Sequence, residues 1–127
     1  YPATPAGAAS EETAWLYGLR QDGTNRTNLA LVNTGEAGEA DDVFEVDVWD
    51  GETGALVHTE GGLSLRARRW MQVNTLLAAW APGVANGWAR VRRVAGTNPF
   101  VAYAVINDGG APRERSDDGA FLAASED

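Results

Sequence analysis

The stretch VFEVDVWDGETGALVHTE, residues 43–60, decides the fold. Its first half alternates, with Phe44, Val46 and Val48 on one side of an extended chain and Glu45 and Asp47 on the other. A period of two marks a half-buried strand, because successive side chains of a pleated backbone point to opposite faces. Gly51-Glu52-Thr53-Gly54 then reverses the chain, and ALVHTE (55–60) returns as the second arm of a hairpin.

Working outward, the same punctuation recurs. TAWLYGLR (13–20) reads as a strand ended by Gln21-Asp22-Gly23, since Asp-Gly is a strong turn signal. TNLALVN (27–33) follows and is closed by Thr34-Gly35 and an acidic loop to Asp42. Residues 63–74 read as one strand with Leu63 and Leu65 inward and Arg66 and Arg68 outward; the alternation slips at Arg69 and Trp70, as a β-bulge would make it. TLLAAW (75–80) is the one helical candidate, stopped by Pro82-Gly83. GWARVRRV (87–94), PFVAYAVIN (99–107) and GAFLAA (119–124) complete the set, the middle one apolar on both faces. Seven to eight short strands and at most one short helix predict an all-β fold, an antiparallel β-sandwich, whereas an α/β fold needs helices between its strands. The 127 residues suffice for one domain. Residues 13–127 are assigned to it, and residues 1–12, with two prolines and no period, read as an extended arm or linker.

Composition excludes much chemistry. Hydrophobic residues are 44% of the chain, enough to bury a core and too many for intrinsic disorder. All 10 basic residues are arginine, so Schiff-base chemistry and the phosphate-cradling lysine of a P-loop have no amine to use. Cysteine is absent and His58 is the single histidine, so thiolate nucleophiles, disulfides and two-histidine metal sites are excluded, and a Ser-His-Asp triad would need that one residue. The net charge of −8 argues against a nucleic-acid partner, which a basic face would have to hold. No apolar run is long enough for a membrane span. No cofactor is expected; Asp41-Asp42 and Asp117-Asp118 offer oxygen donors to calcium, but their spacing matches no EF-hand loop and acidic doublets commonly serve as soluble turns.

The side chains that remain for a surface role are tryptophans and arginines. Trp15, Trp49, Trp70, Trp80 and Trp88 can fill the core or seal the ends of the sandwich; Trp70 and Trp88, beside arginines where the alternation breaks, are the surface candidates. Arg66, Arg68 and Arg69 on one strand and Arg90, Arg92 and Arg93 on another would repel if the strands were neighbours, unless carboxylates such as Glu45 and Asp47 stood between them. The result would be a solvated charge ladder, or a basic stripe meeting the acidic loops of another copy. Asn25-Arg26-Thr27 fits the N-glycosylation pattern, and His58 reads as an ordinary strand residue.

TNRTNLALVN (24–33), VDVWDGETGALV (46–57), GWARVRRV (87–94) and FVAYAVINDGGAP with DDGAFLAA (100–124) together resemble immunoglobulin-like β-sandwich modules of large secreted or cell-surface bacterial proteins. The resemblance covers about Trp15 to Ala123 and rests on strand and turn patterns. It implies a secreted, non-catalytic structural or adhesion unit that associates with copies of itself or with neighbouring extracellular domains. Tyr1, Pro2, Ala3 and Pro5 of the arm, with Arg66, Arg68, Trp70, Trp88, Arg90 and Arg92, are the candidate contact residues. The arm could join another subunit's open sheet edge and so build a filament. The alternative is a carbohydrate-binding module in which Trp70, Trp80 and Trp88 stack on a polysaccharide.

Overall fold

Among the described residues, alternating apolar positions on eight strands give two sheets, each with one face to hide. The computed structural model describes residues 12–22, 25–108 and 120–123. In chain order the elements are β1 (Thr13–Arg20), β2 (Asn25–Asn33), β3 (Asp42–Asp50), β4 (Leu56–Leu65), β5 (Trp70–Val73), α1 (Leu76–Trp80), β6 (Asn86–Ala95), β7 (Phe100–Asp108) and β8 (Ala120–Ala123). One sheet runs β1-β6-β3-β4 and the other β5-β2-β7-β8, with every pairing antiparallel. The all-β, antiparallel sandwich is as the sequence predicts. Its order places β1 beside β6, distinct from the pairing of first with second strand in immunoglobulin domains.

The inner faces interlock along the predicted alternation. Leu16, Phe44, Val46, Val48 and Val91 of the first sheet meet Leu29, Leu31, Phe100 and Ala102 of the second, all buried. Phe44 and Phe100 cross edge to face with centroids 5.0 Å apart, joining the centres of the two layers. α1 carries the chain from β5 to β6, between the two sheets, and sinks Leu76 and Leu77 into the core. Thr75 before it adopts a left-handed backbone and donates its N–H to Asn28 Oδ1 at 2.8 Å.

One expectation needs correction. Residues 63–74 do not form one bulged strand. Leu63 and Leu65 finish β4, which starts at Leu56 and continues past a register shift at Gly61-Gly62, and the slip at Arg69-Trp70 is a change of sheet, with β5 starting at Trp70 beside β2. Residues 66–69 are the crossover between layers, and Arg68 takes a left-handed backbone there (φ 64°). The two arginine groups are kept apart. β3 separates β4 from β6, so Arg66 and Arg68 are not neighbours of Arg90 and Arg92.

β7 is buried on both faces, as its composition suggests. Ala102 and Ala104 join the main core, while Val101 and Tyr103 form a second buried cluster with Ala30, flanked by Val32 and Val105. The sheet edges are short or interrupted. β5 and β8 have four residues each, and β1 and β4 each change register along their length. In β1 the shift contains Gly18 at φ 78°, a backbone angle that glycine adopts without a Cβ clash. Such edges discourage continuous pairing with another chain.

Phe44→Ala should cost about 3–5 kcal/mol, because it removes a ring packed between the layers. Urea unfolding followed by tryptophan fluorescence would measure this. A loss below about 1 kcal/mol would mean that the sheets are not held by this contact.

Candidate functional site

Inward burial of alternate residues sends Glu45, Asp47 and Trp49 of β3 to the outer face of the first sheet, and Trp88, Arg90 and Arg92 of β6 join them. Directly paired residues share a face, so the registers lay out rows. Leu56, Trp49 and Trp88 make one row; Thr59, Asp47, Arg90 and Trp15 the next; Glu45, Arg92 and Thr13 a third.

The aromatic rings of this face contact one another. Trp49 stacks on Trp88 with centroids 6.3 Å apart, Trp15 lies 5.6 Å from Trp49, and Tyr17 stacks on Trp15 at 6.2 Å. The Arg90 guanidinium carbon lies 5.4 Å from the Trp15 ring centre and 5.2 Å from that of Trp49, a cation–π arrangement with both. Its charge is answered by Asp47, which is only 2% exposed. Asp47 Oδ2 accepts from Arg90 Nη2 at 2.6 Å and Nε at 3.1 Å, and Oδ1 accepts from the Thr59 hydroxyl at 2.8 Å. Arg92 donates to Glu45, and its Nε stands 3.5 Å from Asp47. The carboxylates that the sequence offers as partners for the β6 arginines hold Arg90 and Arg92, whereas Arg93 donates to the Asn98 carbonyl. The face is thereby locally neutral, and Tyr17 and Leu56 at its margin are 53% and 54% exposed.

A second constellation lies at the end of the sandwich where β2, β3, β4 and β7 begin or stop. Asn33 and Asn98, both fully buried, fix the loop between β2 and β3. Asn33 donates to the carbonyls of Ala40 and Leu65 and accepts from the Gly35 N–H. Asn98 accepts from the N–H groups of Ala37 and Gly38 and donates to the carbonyls of Gly38 and Ala40. Each buried amide is satisfied on both its oxygen and its nitrogen, so the loop has one shape. Gly35 (φ 70°) is required here, because a Cβ would fall 2.7 Å from Arg68 Cγ. The loop and the 66–69 crossover enclose a cleft of about 560 Å³ lined by Glu39, Asp41, Arg66, Ala67, Arg68 and Arg69. Arg68 Nη2 donates to Glu39 Oε1 at 2.7 Å, which lowers the Glu39 carboxyl and raises the Arg68 guanidinium from their ordinary values.

Asp42, below that loop, is fully buried. Its Oδ1 accepts from the Asn98 N–H at 3.2 Å, and among the described residues its Oδ2 has no partner. Burial pushes its carboxyl above the ordinary value of 3.8, opposed by the Asn98 N–H and the Arg93 guanidinium and aided by the neighbouring Asp41 charge.

Of the sequence candidates, Trp88, Arg90 and Arg92 share the outer face, Arg66 and Arg68 share the cleft, and Trp70 begins β5, 54% exposed. The three proposed stacking tryptophans are not brought together: Trp80 lies on α1 against His58, ring centroids 5.7 Å apart, and also packs on the core. His58 further contacts Glu60 at 2.8 Å. Trp15, Tyr17 and Trp49 complete the aromatic face and were not singled out by sequence; Trp49 follows Glu45 and Asp47 on the outward parity of β3, which was the available signal. Tyr1, Pro2, Ala3, Pro5 and Asp117-Asp118 lie outside the described residues, as does the Asn25 side chain. Among the described residues no group of three or more His, Asp or Glu could hold a metal ion, and no helix is long and apolar enough to cross a membrane.

The class that these observations define is an antiparallel β-sandwich with an aromatic and arginine face. No family model and no curated protein matches the chain. A crystal structure of a Thermotoga maritima protein, described as Thermotoga maritima 1070, is similar with a TM-score of 0.61 at 9% identity, over 92% of this chain and 97% of that one. At that identity the likeness shows the fold alone.

Asp47→Ala should cost about 3 kcal/mol by leaving two guanidinium groups beside a vacated position, whereas Thr59→Val should cost about 1 kcal/mol. Chemical denaturation of both variants tests this, and equal losses would mean that the ion pairs contribute nothing beyond the hydroxyl. For Asp42, a carboxyl raised by burial destabilises the fold while ionised, and the penalty disappears as the pH falls through its folded pKa towards 3.8. Asp42→Asn should therefore raise stability at neutral pH and lose that advantage as the pH falls towards 3.8. Melting curves across that range show whether the difference narrows.

Proposed function

We propose that the protein is a non-catalytic association module whose working surface is the outer face of the first sheet, and that its partner is a second copy of the same chain. The single observation that carries this is the run of stacked rings Tyr17, Trp15, Trp49 and Trp88, with Arg90 against Trp15 and Trp49 and with Tyr17 and Leu56 exposed at the margin. Tryptophan, tyrosine and arginine are the residues that concentrate binding energy where proteins meet. At a net charge of −8 copies repel each other over most of their surface. This face escapes that repulsion, since Arg90 and Arg92 are matched by Asp47 and Glu45.

The sheet edges bear on the manner of association. Short or register-shifted edges favour contact between faces over strand donation by residues 1–12. Face-to-face contact about a two-fold axis closes after two copies, whereas a donated arm would run on as a filament. The chemistry of a polysaccharide ligand is better served elsewhere on the molecule, because the rings of this face are stacked on one another and on Arg90.

Sedimentation velocity over a wide concentration range should give a monomer–dimer equilibrium. Tyr17→Ala with Leu56→Ala, at two exposed positions, should weaken it by about tenfold or more, while deletion of residues 1–12 should leave it in place. A strictly monomeric chain, or a dimer indifferent to the double substitution, would overturn the proposal.

A further inference from the structure

The outer face of the first sheet is built differently in its two directions. Along β3 the outward residues are Glu45, Asp47 and Trp49, and opposite them on β6, pair by pair, stand Arg92, Arg90 and Trp88. Each acid of one central strand therefore has a base at the same level of the other, and tryptophan stands beside tryptophan. Exchanging the two strands inverts the charge of this double row and leaves its tryptophans in place.

A two-fold axis that joins two such faces lies in the plane of contact, and its direction decides which strands meet. Parallel to the strands and midway between β3 and β6, it lays β3 of one copy over β6 of the other, so carboxylates come to arginines on both halves of the interface. Across the strands, it lays β3 on β3 and β6 on β6. Through the charged rows, that second axis brings acids to acids and arginines to arginines, which costs free energy. Through the tryptophan row, next to the turn at residues 51–54, it leaves the charged half of each face beyond the edge of the other copy. Asp47 is covered, so the exposed part of the charge pattern is Glu45 and Arg92, whose side chains are 30% and 37% exposed.

The outer strands fit the first axis. Tyr17 follows Leu16, which pairs with Ala89, so it stands level with Trp88, and Leu56 pairs with Trp49. The row Tyr17, Trp88, Trp49, Leu56 thus crosses the sheet from β1 to β4 and has its two exposed residues at its ends. With the axis parallel to the strands, the tyrosine of each copy covers the leucine of the other, and in the next row Trp15 comes over Thr59. Large rings on the β1 margin meet smaller side chains on the β4 margin at both sides of the contact.

We propose, resting on the reading of this face as the contact between two copies, that the dimer axis runs parallel to the strands between β3 and β6. Glu45 and Arg92 of each copy then meet Arg92 and Glu45 of the other, and Tyr17 meets Leu56.

A charge-swapped chain, Glu45→Arg with Arg92→Glu, keeps the pair within the chain with its sign reversed. Its own dimer should match that of the parent, because each arginine still meets a glutamate. A mixed dimer with the parent sets arginine on arginine and glutamate on glutamate. Native mass spectrometry of an equilibrated mixture, with one chain isotope-labelled so that the masses differ, should find mixed dimers reduced from the statistical half to roughly a tenth of all dimers. An axis across the strands would enrich mixed dimers instead. Mixed dimers at half or above overturn the proposal and leave the dimer itself standing, whereas a monomeric parent overturns both.

Cysteine placement gives a measurement without any change of charge. The chain has no cysteine of its own, so Tyr17→Cys and Leu56→Cys each carry a single thiol. A bismaleimide reaching about 10 Å, the spacing of packed sheets, should link the two variants in mixture at least about fivefold more than it links either alone. Linking within either variant alone to the same extent overturns the proposal.

Discussion

Burying Phe44, Val46 and Val48 commits Glu45, Asp47 and Trp49 to the other side of the same strand, and the rest of the molecule is arranged around that commitment. A shift of one residue in β3 would place two carboxylates in the core and three apolar side chains in water. The neighbouring strands obey the same parity. Ala89 and Val91 go in with Leu16, while Trp88, Arg90 and Arg92 come out with Trp15. The core and the outer face are therefore one decision seen from two sides. No separate mechanism is needed to gather tryptophans and arginines on the exterior.

What makes that exterior stable is the position of Asp47 in the second row. It is almost wholly covered, yet it accepts hydrogen bonds from a β4 hydroxyl and from the Arg90 guanidinium of β6, with the Arg92 guanidinium 3.5 Å away. A buried carboxylate without such partners would be costly, as the orphaned Oδ2 of Asp42 illustrates at the other end of the strand. β3 thus carries one well-answered acid and one poorly answered acid. The first ties three strands of the face together. The second sits beneath the loop that shapes the cleft, and its protonation at acid pH removes the cost of burying its charge.

Much of the fold was legible beforehand. The 43–60 hairpin, β1 over residues 13–20 and α1 follow from period, turn residues and proline, which act locally. The pairing of the β6 arginines with Glu45 and Asp47 could also be anticipated, because their outward parity is written in the alternation. The change of sheet at residues 66–69 could not. A bulge and a crossover disturb alternation in the same way, and only the identity of the next strand's neighbour distinguishes them. Nor could the sequence gather Trp15 with Trp49, 34 positions apart, since that contact needs β6 to lie between β1 and β3.

The sequence by itself determined the all-β character, the strand parities and the inventory of chemistry: arginine without lysine, one histidine and no cysteine. These are properties of short stretches or of composition, and they hold whichever strands are neighbours. Tertiary structure alone decided which outward residues became a surface. Strand order put Arg90 between two indoles and parted Arg66 and Arg68 from Arg92, and the packing of two buried asparagines turned an acidic loop and an arginine turn into opposite walls of one cleft. Strand order depends on long-range contacts whose free energy is spread over the whole core, and no local pattern encodes it.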